Sequence, residues 1–345
     1  MVSISLCMIV KNEEQVLARC LDSFSPLVDE IVIVDTGSTD HTKEIASRYT
    51  GKIYDFAWIG DFAAARNFAF SKTGCDYIYS ADADEMIDEE NAKRFMALKE
   101  VMDPQVELVQ MWYVNRHENR TTDNYEKDLR PKLFKRLRSF VWIDPVHESV
   151  RLDPLVFDSD IEILHMPVGQ HAGRDFGIFL NKLRAGEKLS DKLMHMYATE
   201  LFLAGADSDF ADAAPYFENM IYDAARGEDR RMEAYCVLAR NARRAKDVNA
   251  FFKWCLKNIS IKPCAEICCE LGDYYFDAGD IEEASVWYIN AYHETEAIIK
   301  ADASGREPVE KLARCYERMA AEHPEIKESA LKMAVSYKAK LLEMT

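Results

Sequence analysis

The 345-residue sequence has no apolar run approaching the ~20 residues that a bilayer-spanning helix needs, so any membrane contact expected from it is peripheral. It also lacks a basic leader: the apolar run Ser3 to Val10 passes straight into Lys11, Asn12 and two glutamates, which reads as a first β-strand and not as a secretory signal. Excess positive charge is missing as well. A formal net charge of −17 repels a phosphate backbone, so extended nucleic-acid binding is not expected. The nine cysteines are odd in number and sit mostly in apolar-periodic stretches. They read as reduced core thiols of a cytoplasmic protein. The densest group, Cys264, Cys268 and Cys269 with Cys255 upstream, lacks the paired CxxC spacing of a structural zinc site.

What is present fits two domains, 1–175 and 176–345, each long enough to bury its own core. In the first, short β-branched runs (Ile4 to Val10, Glu30 to Val34, Lys52 to Phe56, Asp76 to Ser80, Val106 to Val114) alternate with amphipathic stretches. This is the pattern of an α/β sheet with crossover helices, its first four strands parallel. From Pro131 to about Gly173 short strand-like pieces are broken by Pro145, Pro154 and Pro167, which suggests the irregular, mixed-sheet half of the same domain.

Beyond Phe176 the chain reads as all-α, and it repeats at an offset of 33 residues: Leu238, Ala239, Asp247 and Trp254 recur as Leu271, Gly272, Asp280 and Trp287. Ala265 to Tyr292, with Leu271-Gly272, Tyr275, Gly279-Asp280, Ala284 and Tyr288, resembles a tetratricopeptide repeat. Weaker helix-pair patterns at about 193–221 and 310–340 extend it to an expected stack of four pairs.

Three segments of the first half can carry chemistry. In IVIVDTGSTD, Ile31 to Asp40, an apolar strand ends in Asp35 and a Gly/Ser/Thr turn opens a helix. Ligands of open α/β sheets sit at the carboxyl ends of strands, so Asp35 faces the crevice and can accept an imide N–H or a ribose hydroxyl; the alternative is a plain helix-entry turn capped by Asp40. In YIYSADADE, Tyr77 to Glu85, Asp82 and Asp84 lie two apart on extended backbone, and such a pair is commonly neutralised by a hard divalent cation; the alternative is a solvated acidic turn. In DFAAARNFAF, Asp61 to Phe70, Arg66 stands among small residues of a helix, where a guanidinium can bridge diphosphate and carboxylates, or simply lie on the surface.

Taken in order, CMIVKNEE (Cys7 to Glu14), EIVIVDTGSTD (Glu30 to Asp40), DFAAARNFA (Asp61 to Ala69) and ADADE (Ala81 to Glu85) resemble the family 2 glycosyltransferases of GT-A fold, in particular soluble bacterial members with tetratricopeptide-like C-terminal repeats. LRPKLFKR (Leu129 to Arg136) and VHE (Val146 to Glu148) extend the resemblance more loosely, to about half the chain. The resemblance implies a UDP-sugar donor, with Val10, Lys11, Asn12 and Glu13 lining base and ribose, Asp35 on the uracil, and Arg66 and Arg130 toward the diphosphate. Asp82 would touch ribose or metal, and Asp84 would be the principal ligand of Mn²⁺ or Mg²⁺. A later histidine also faces the metal or diphosphate in many relatives; His165, which ends the strand-like run Ile161 to Leu164, is the choice here, with His147 second.

The family is typically inverting, which requires a base to deprotonate the acceptor. By position that base is Glu148, with Asp144 behind it, although Glu148 could instead orient Arg130, Arg136 or His147. The ED pair of many processive members is missing. The basic strip Arg130 to Arg138 either serves the donor diphosphate or an anionic acceptor, or guards an edge strand by charge. The acceptor is a glycan, a lipid-linked glycan or a polypeptide presented to the helical repeats, and the exposed end of the helical stack could form a homodimer. Two other readings compete: a scaffold on an inactive glycosyltransferase fold, opposed by the intact Asp35, Arg66, Asp82 and Asp84, and a nucleotidyltransferase, opposed by the glycine-free Lys11 to Glu14.

Overall fold

A computed structural model describes residues 1–115, 127–150, 154–168 and 174–344. The chain divides into two compact units, Met1–His171 and Ala172–Thr345. In the first, the described elements run β1 (Ile4–Val10), α1 (Leu17–Phe24), β2 (Glu30–Asp35), α2 (Thr42–Ala46), β3 (Ile53–Asp55), α3 (Phe62–Phe70), β4 (Tyr77–Ala81), β5 (Glu85–Met86), α4 (Glu89–Val101), β6 (Leu108–Asn115), β7 (Lys127–Lys135), β8 (Trp142–Ile143), β9 (Ser149–Val150) and β10 (Val156–His165). The main sheet has the order β3-β2-β1-β4-β7-β6-β10-β5, and β8-β9 form a separate hairpin. β1, β2, β3 and β4 are parallel, as expected from the helix-sized connections, while β7 is antiparallel to both neighbours.

Strand alternation separates two cores. Ile4, Leu6, Met8 and Val10 of β1 pack with Leu17, Cys20, Leu21 and Phe24 of α1 and Phe95 of α4. Cys7, Val32, Val34 and Ile78 pack on the opposite face with Ala69 of α3 and Phe134 of β7. The expected mixed, mainly parallel sheet with helices is therefore borne out.

Two readings of the second half-sheet need correction. β7 is not an edge strand guarded by charge: β4 and β6 flank it, and Leu133 and Phe134 are both fully buried, one on each face. β10 starts at Val156, five residues before the short run Ile161 to Leu164 read from the sequence, because it follows β6 in parallel register through a bulge between Asp158 and Glu162. Its exposed Asp158 and Asp160 hid the strand pattern.

The second unit is helical, with α5 (Arg174–Arg184), α6 (Asp191–Ala204), α7 (Asp207–Tyr222), α8 (Glu228–Arg244), α9 (Val248–Ile259), α10 (Ala265–Ala278), α11 (Ile281–Ile289), α12 (Arg306–Glu322) and α13 (Lys327–Glu343). Three of the four expected pairs pack closely, α8/α9, α10/α11 and α12/α13; in place of the fourth, α6 and α7 each pack on α8 and touch one another through Tyr197 and Phe217. Gly272 explains the small residue in the repeat: a Cβ there would lie 2.4 Å from the Tyr288 ring, so only glycine lets α10 and α11 close. All nine cysteines are free thiols. Cys236 and Cys264 approach to 3.4 Å beside buried Glu266, but the Glu266 carboxylate already accepts the backbone N–H groups of Ile298, Ile299 and Lys300. Those bonds account for the buried acid without a metal.

Candidate active site

The carboxyl ends of β1 and β2 form one wall. Val10 pairs in register with Asp35, and Thr36 donates to the Val10 carbonyl at 2.9 Å. Asn12, held at φ 57°, donates its N–H to Ser38 Oγ at 2.9 Å and accepts from Thr39 N at 2.8 Å, while Glu13 N donates to Thr42 Oγ1 at 2.7 Å. The two loops are thus laced together, with Lys11 exposed between them. Asp35 is 1% exposed; its Oδ1 accepts Gly37 N at 2.9 Å and Ser38 N at 3.0 Å, and Lys43 Nζ stands 3.7 Å away. Its Oδ2 is buried with no hydrogen-bond partner. An unsatisfied buried carboxylate oxygen is costly unless a ligand supplies the donor.

The second wall is built on α3. Asp61 caps the helix by accepting Ala64 N at 2.9 Å, and buried Ala63, Ala65 and Ala69 let it lie close to the sheet. That sets Arg66 between β4 and the segment before β9. Its Nη1 donates to Ser80 Oγ at 3.0 Å, its Nη2 to Asp82 Oδ1 at 2.9 Å, and its Nε to Glu148. The guanidinium also faces the Trp142 ring at 5.2 Å. Burial disfavours the Arg66 charge, but Asp82 and Glu148 outweigh it and hold Arg66 more firmly protonated than usual. For Asp82 burial acts upward, and Arg66 and Lys132 overcome it, so its carboxyl lies below the usual range.

Asp84 and His165 meet through the short β5–β10 pairing, His165 opposite Glu85, with Met166 N donating to the Asp84 carbonyl at 2.9 Å. His165 Nε2 lies 3.0 Å from Asp84 Oδ2. The structure therefore joins the histidine chosen at the strand end to the second aspartate of the DAD. Among the described residues, Asp82, Asp84 and His165 do not form a three-ligand cluster within 4.8 Å, because Asp82 is turned toward Arg66. Asp84 offers the carboxylate oxygen that hard divalent cations such as Mn²⁺ and Mg²⁺ prefer, and the His165 imidazole beside it is a donor favoured by softer divalent ions, so the pair fits a divalent cation as a two-residue anchor.

Several residues at this site escaped the sequence reading. Tyr113 is the hub: His165 lies against its ring at 4.9 Å, Arg130 over it at 3.9 Å and Lys132 at 5.0 Å. Lys132 pairs with fully buried Glu85, which also accepts from Tyr79 Oη at 3.0 Å. Burial pushes the Glu85 carboxyl up to about 7 despite Lys132. The nearly continuous apolar run of β6 gave no sign of a role for Tyr113, and Glu85 was hidden as the last acid of an acidic run.

The basic strip is split between the two ends of β7. Lys127, Arg130 and Lys132 pair with Glu162, Asp128 and Glu85 near the site, while Lys135 and Arg136 reach the Pro104 and Cys75 carbonyls and Arg138 pairs with Glu107 at the far end. A cavity of about 510 Å³ opens between Arg66, Asp82, Arg130, Lys132, His147 and Glu148. Asp144, like His147, has a left-handed backbone, but it is not among the residues lining the cavity.

Comparison with known proteins bears out the resemblance. Residues 5–152 match the family model described as glycosyl transferase family 2. A TPR repeat-containing protein of Synechococcus elongatus is 46% identical over 85 residues, 25% of this chain and 21% of that protein. An uncharacterized glycosyltransferase of Rickettsia prowazekii is 26% identical over 182 residues, 47% of this chain and 56% of that protein. The chain thus spans about a fifth to just over half the length of these relatives. Among solved structures, glucosyl-3-phosphoglycerate synthase of Mycobacterium tuberculosis, in complex with Mn²⁺, UDP and phosphoglyceric acid, is 18% identical over 55% of this chain and 80% of that one, with a TM-score of 0.41. That likeness is too slight to bear on function.

Proposed function

We propose that the first unit, which matches the family 2 glycosyl transferases, is an enzyme that transfers a sugar from a UDP-sugar to an acceptor with inversion at the anomeric carbon. The observation that carries this is Arg66, one guanidinium joined to Ser80, to Asp82 of the DAD and to Glu148 across 82 residues of sequence, at the mouth of a cavity. Such an assembly is costly to build for packing alone, since it buries charge.

In this reading the orphan Oδ2 of Asp35 accepts the uracil N–H, and Val10 to Glu13 flank base and ribose. Asp84 and His165 would hold a divalent cation, with Asp82 an outer partner; when bound, the ion neutralises charge on the departing diphosphate. Arg66, paired with both Asp82 and Glu148, would hold the two carboxylates in position at the same place. Glu148, held in place by Arg66, receives the acceptor proton as the acceptor oxygen attacks the anomeric carbon from the face opposite the diphosphate. Reduced thiols support a reducing compartment such as the cytoplasm, and no described helix is long and apolar enough to cross a membrane. The helical unit would present the acceptor.

The test is calorimetric titration of UDP with Mn²⁺ or Mg²⁺ present and absent. Saturable binding that the ion strengthens at least tenfold supports the reading. Absence of binding with either ion rejects it.

A further inference from the structure

The cavity beside Arg66 has two ends of different chemistry. One carries Arg66, Asp82 and Glu148; the other is walled by Leu108, Phe140, Val150, Pro154 and Val156. Leu108 and Val156 are register partners on β6 and β10, so they share the face of the sheet that forms the floor. The β8–β9 hairpin, which pairs Trp142 with Val150, supplies the opposite side. Within that wall Val156 is 41% exposed, so part of its hydrocarbon faces water. Water-facing apolar side chains beside an open cavity gain free energy when a ligand covers them.

The charges argue against an anionic acceptor. Each cation lining the cavity is already held by a carboxylate: Arg66 by Asp82 and Glu148, Arg130 by Asp128, Lys132 by Glu85. A phosphate or carboxylate entering here would have to break one of those pairs.

We propose that the acceptor carries its attacking hydroxyl on an apolar body, aryl or alkyl, which fills the Leu108–Val156 end while the hydroxyl reaches Glu148. The inference rests on the sugar-transfer reading of this unit and adds the acceptor class. In the transfer, the acceptor oxygen bonds to the anomeric carbon and the bond from that carbon to the diphosphate breaks. The electron pair leaves with the nucleoside diphosphate and the hydroxyl proton passes to Glu148. A volume of 510 Å³ lies within the ordinary range for small-molecule sites. A free sugar or a sugar phosphate would leave the apolar wall wet.

The test uses the full chain and begins without acceptor, to find the UDP-sugar that releases UDP fastest by hydrolysis. Glucose, glucose 6-phosphate, 4-nitrophenyl glucoside and octyl glucoside, the last kept below its micelle concentration, are then compared with that donor. The expected result is a kcat/KM at least tenfold higher for the aryl or the alkyl glucoside than for glucose, the two arms separating an aromatic from a lipid-like acceptor. Val156→Asp should lower that preference at least tenfold. Equal or better use of glucose or its phosphate by the wild type overturns the inference while leaving the donor reading intact. Failure to bind or hydrolyse any UDP-sugar rejects the donor reading itself, and with it this one.

Discussion

The side chain of Asn67 grips the peptide frame of Trp142 with two bonds: Asn67 Nδ2 donates to the Trp142 carbonyl at 2.9 Å, and Trp142 N donates to Asn67 Oδ1 at 2.8 Å. Together with Phe62 N donating to the Pro145 carbonyl at 2.9 Å, this ties the segment carrying Glu148 to the helix carrying Arg66. Asn67 is thus a positioning residue. Asn67→Leu is expected to lower turnover at least tenfold and stability by about 1–3 kcal/mol, the usual penalty for orphaned backbone groups. The affinity for UDP, set at the far wall, should change less than twofold. Steady-state kinetics with UDP titration separates the two effects; a loss confined to UDP affinity would contradict the role.

Asp35→Asn tests the other wall. The amide can keep the bonds from Gly37 and Ser38 on its oxygen, but it then places a donor where Asp35 has its unpartnered Oδ2. UDP binding should weaken at least tenfold, about 1.4 kcal/mol, as read by calorimetry. Unchanged affinity would place the nucleotide base elsewhere.

In the helical unit, Glu270 is fully buried between Arg240 and Arg243. Burial opposes its charge, but the two guanidinium groups prevail and hold its carboxyl down at about 2, below its usual 4.5. Its ionised form is therefore favoured by folding. The contribution is complete above pH 4.5 and is lost as the pH falls toward about 2, with a size on the order of 3 kcal/mol. Glu270→Gln should lower the melting temperature at neutral pH and flatten the acid limb of the stability curve, measured by thermal unfolding across pH. An unchanged acid limb would show that other carboxylates govern it.

Thiol accessibility checks the core assignment. Of the nine free cysteines only Cys75 is less than buried. An aromatic disulfide reagent should label one thiol quickly in the native protein and all nine after denaturation, and Cys75→Ser should remove the fast phase. Several fast thiols would contradict the packing of the helical unit.

Much of this was legible in the sequence because it is local. The β1 and β2 runs, the DAD at the end of β4 and the 33-residue offset depend on neighbours in the chain, and the alternating burial of β1 and β2 follows from strand geometry. The joins across the site did not show. Arg66 and Glu148 are 82 residues apart and Asn67 and Trp142 are 75 apart; nothing in composition or spacing links them. β10 was shortened in the reading because Asp158 and Asp160 face outward and broke its apolar run. β7 looked like a charged edge because the sequence does not show that Asp128 on the same strand neutralises Arg130 or that Glu85 on β5 neutralises Lys132.

The most direct test of the central claim is release of UDP from a panel of UDP-sugars, with and without Mn²⁺ or Mg²⁺, by the wild type and by Asp84→Ala. The account requires that one donor be turned over in a metal-dependent manner, and that Asp84→Ala, which removes the carboxylate 3.0 Å from His165 Nε2, lower that rate at least a hundredfold. Metal-independent release, or a rate unaffected by Asp84→Ala, would contradict it.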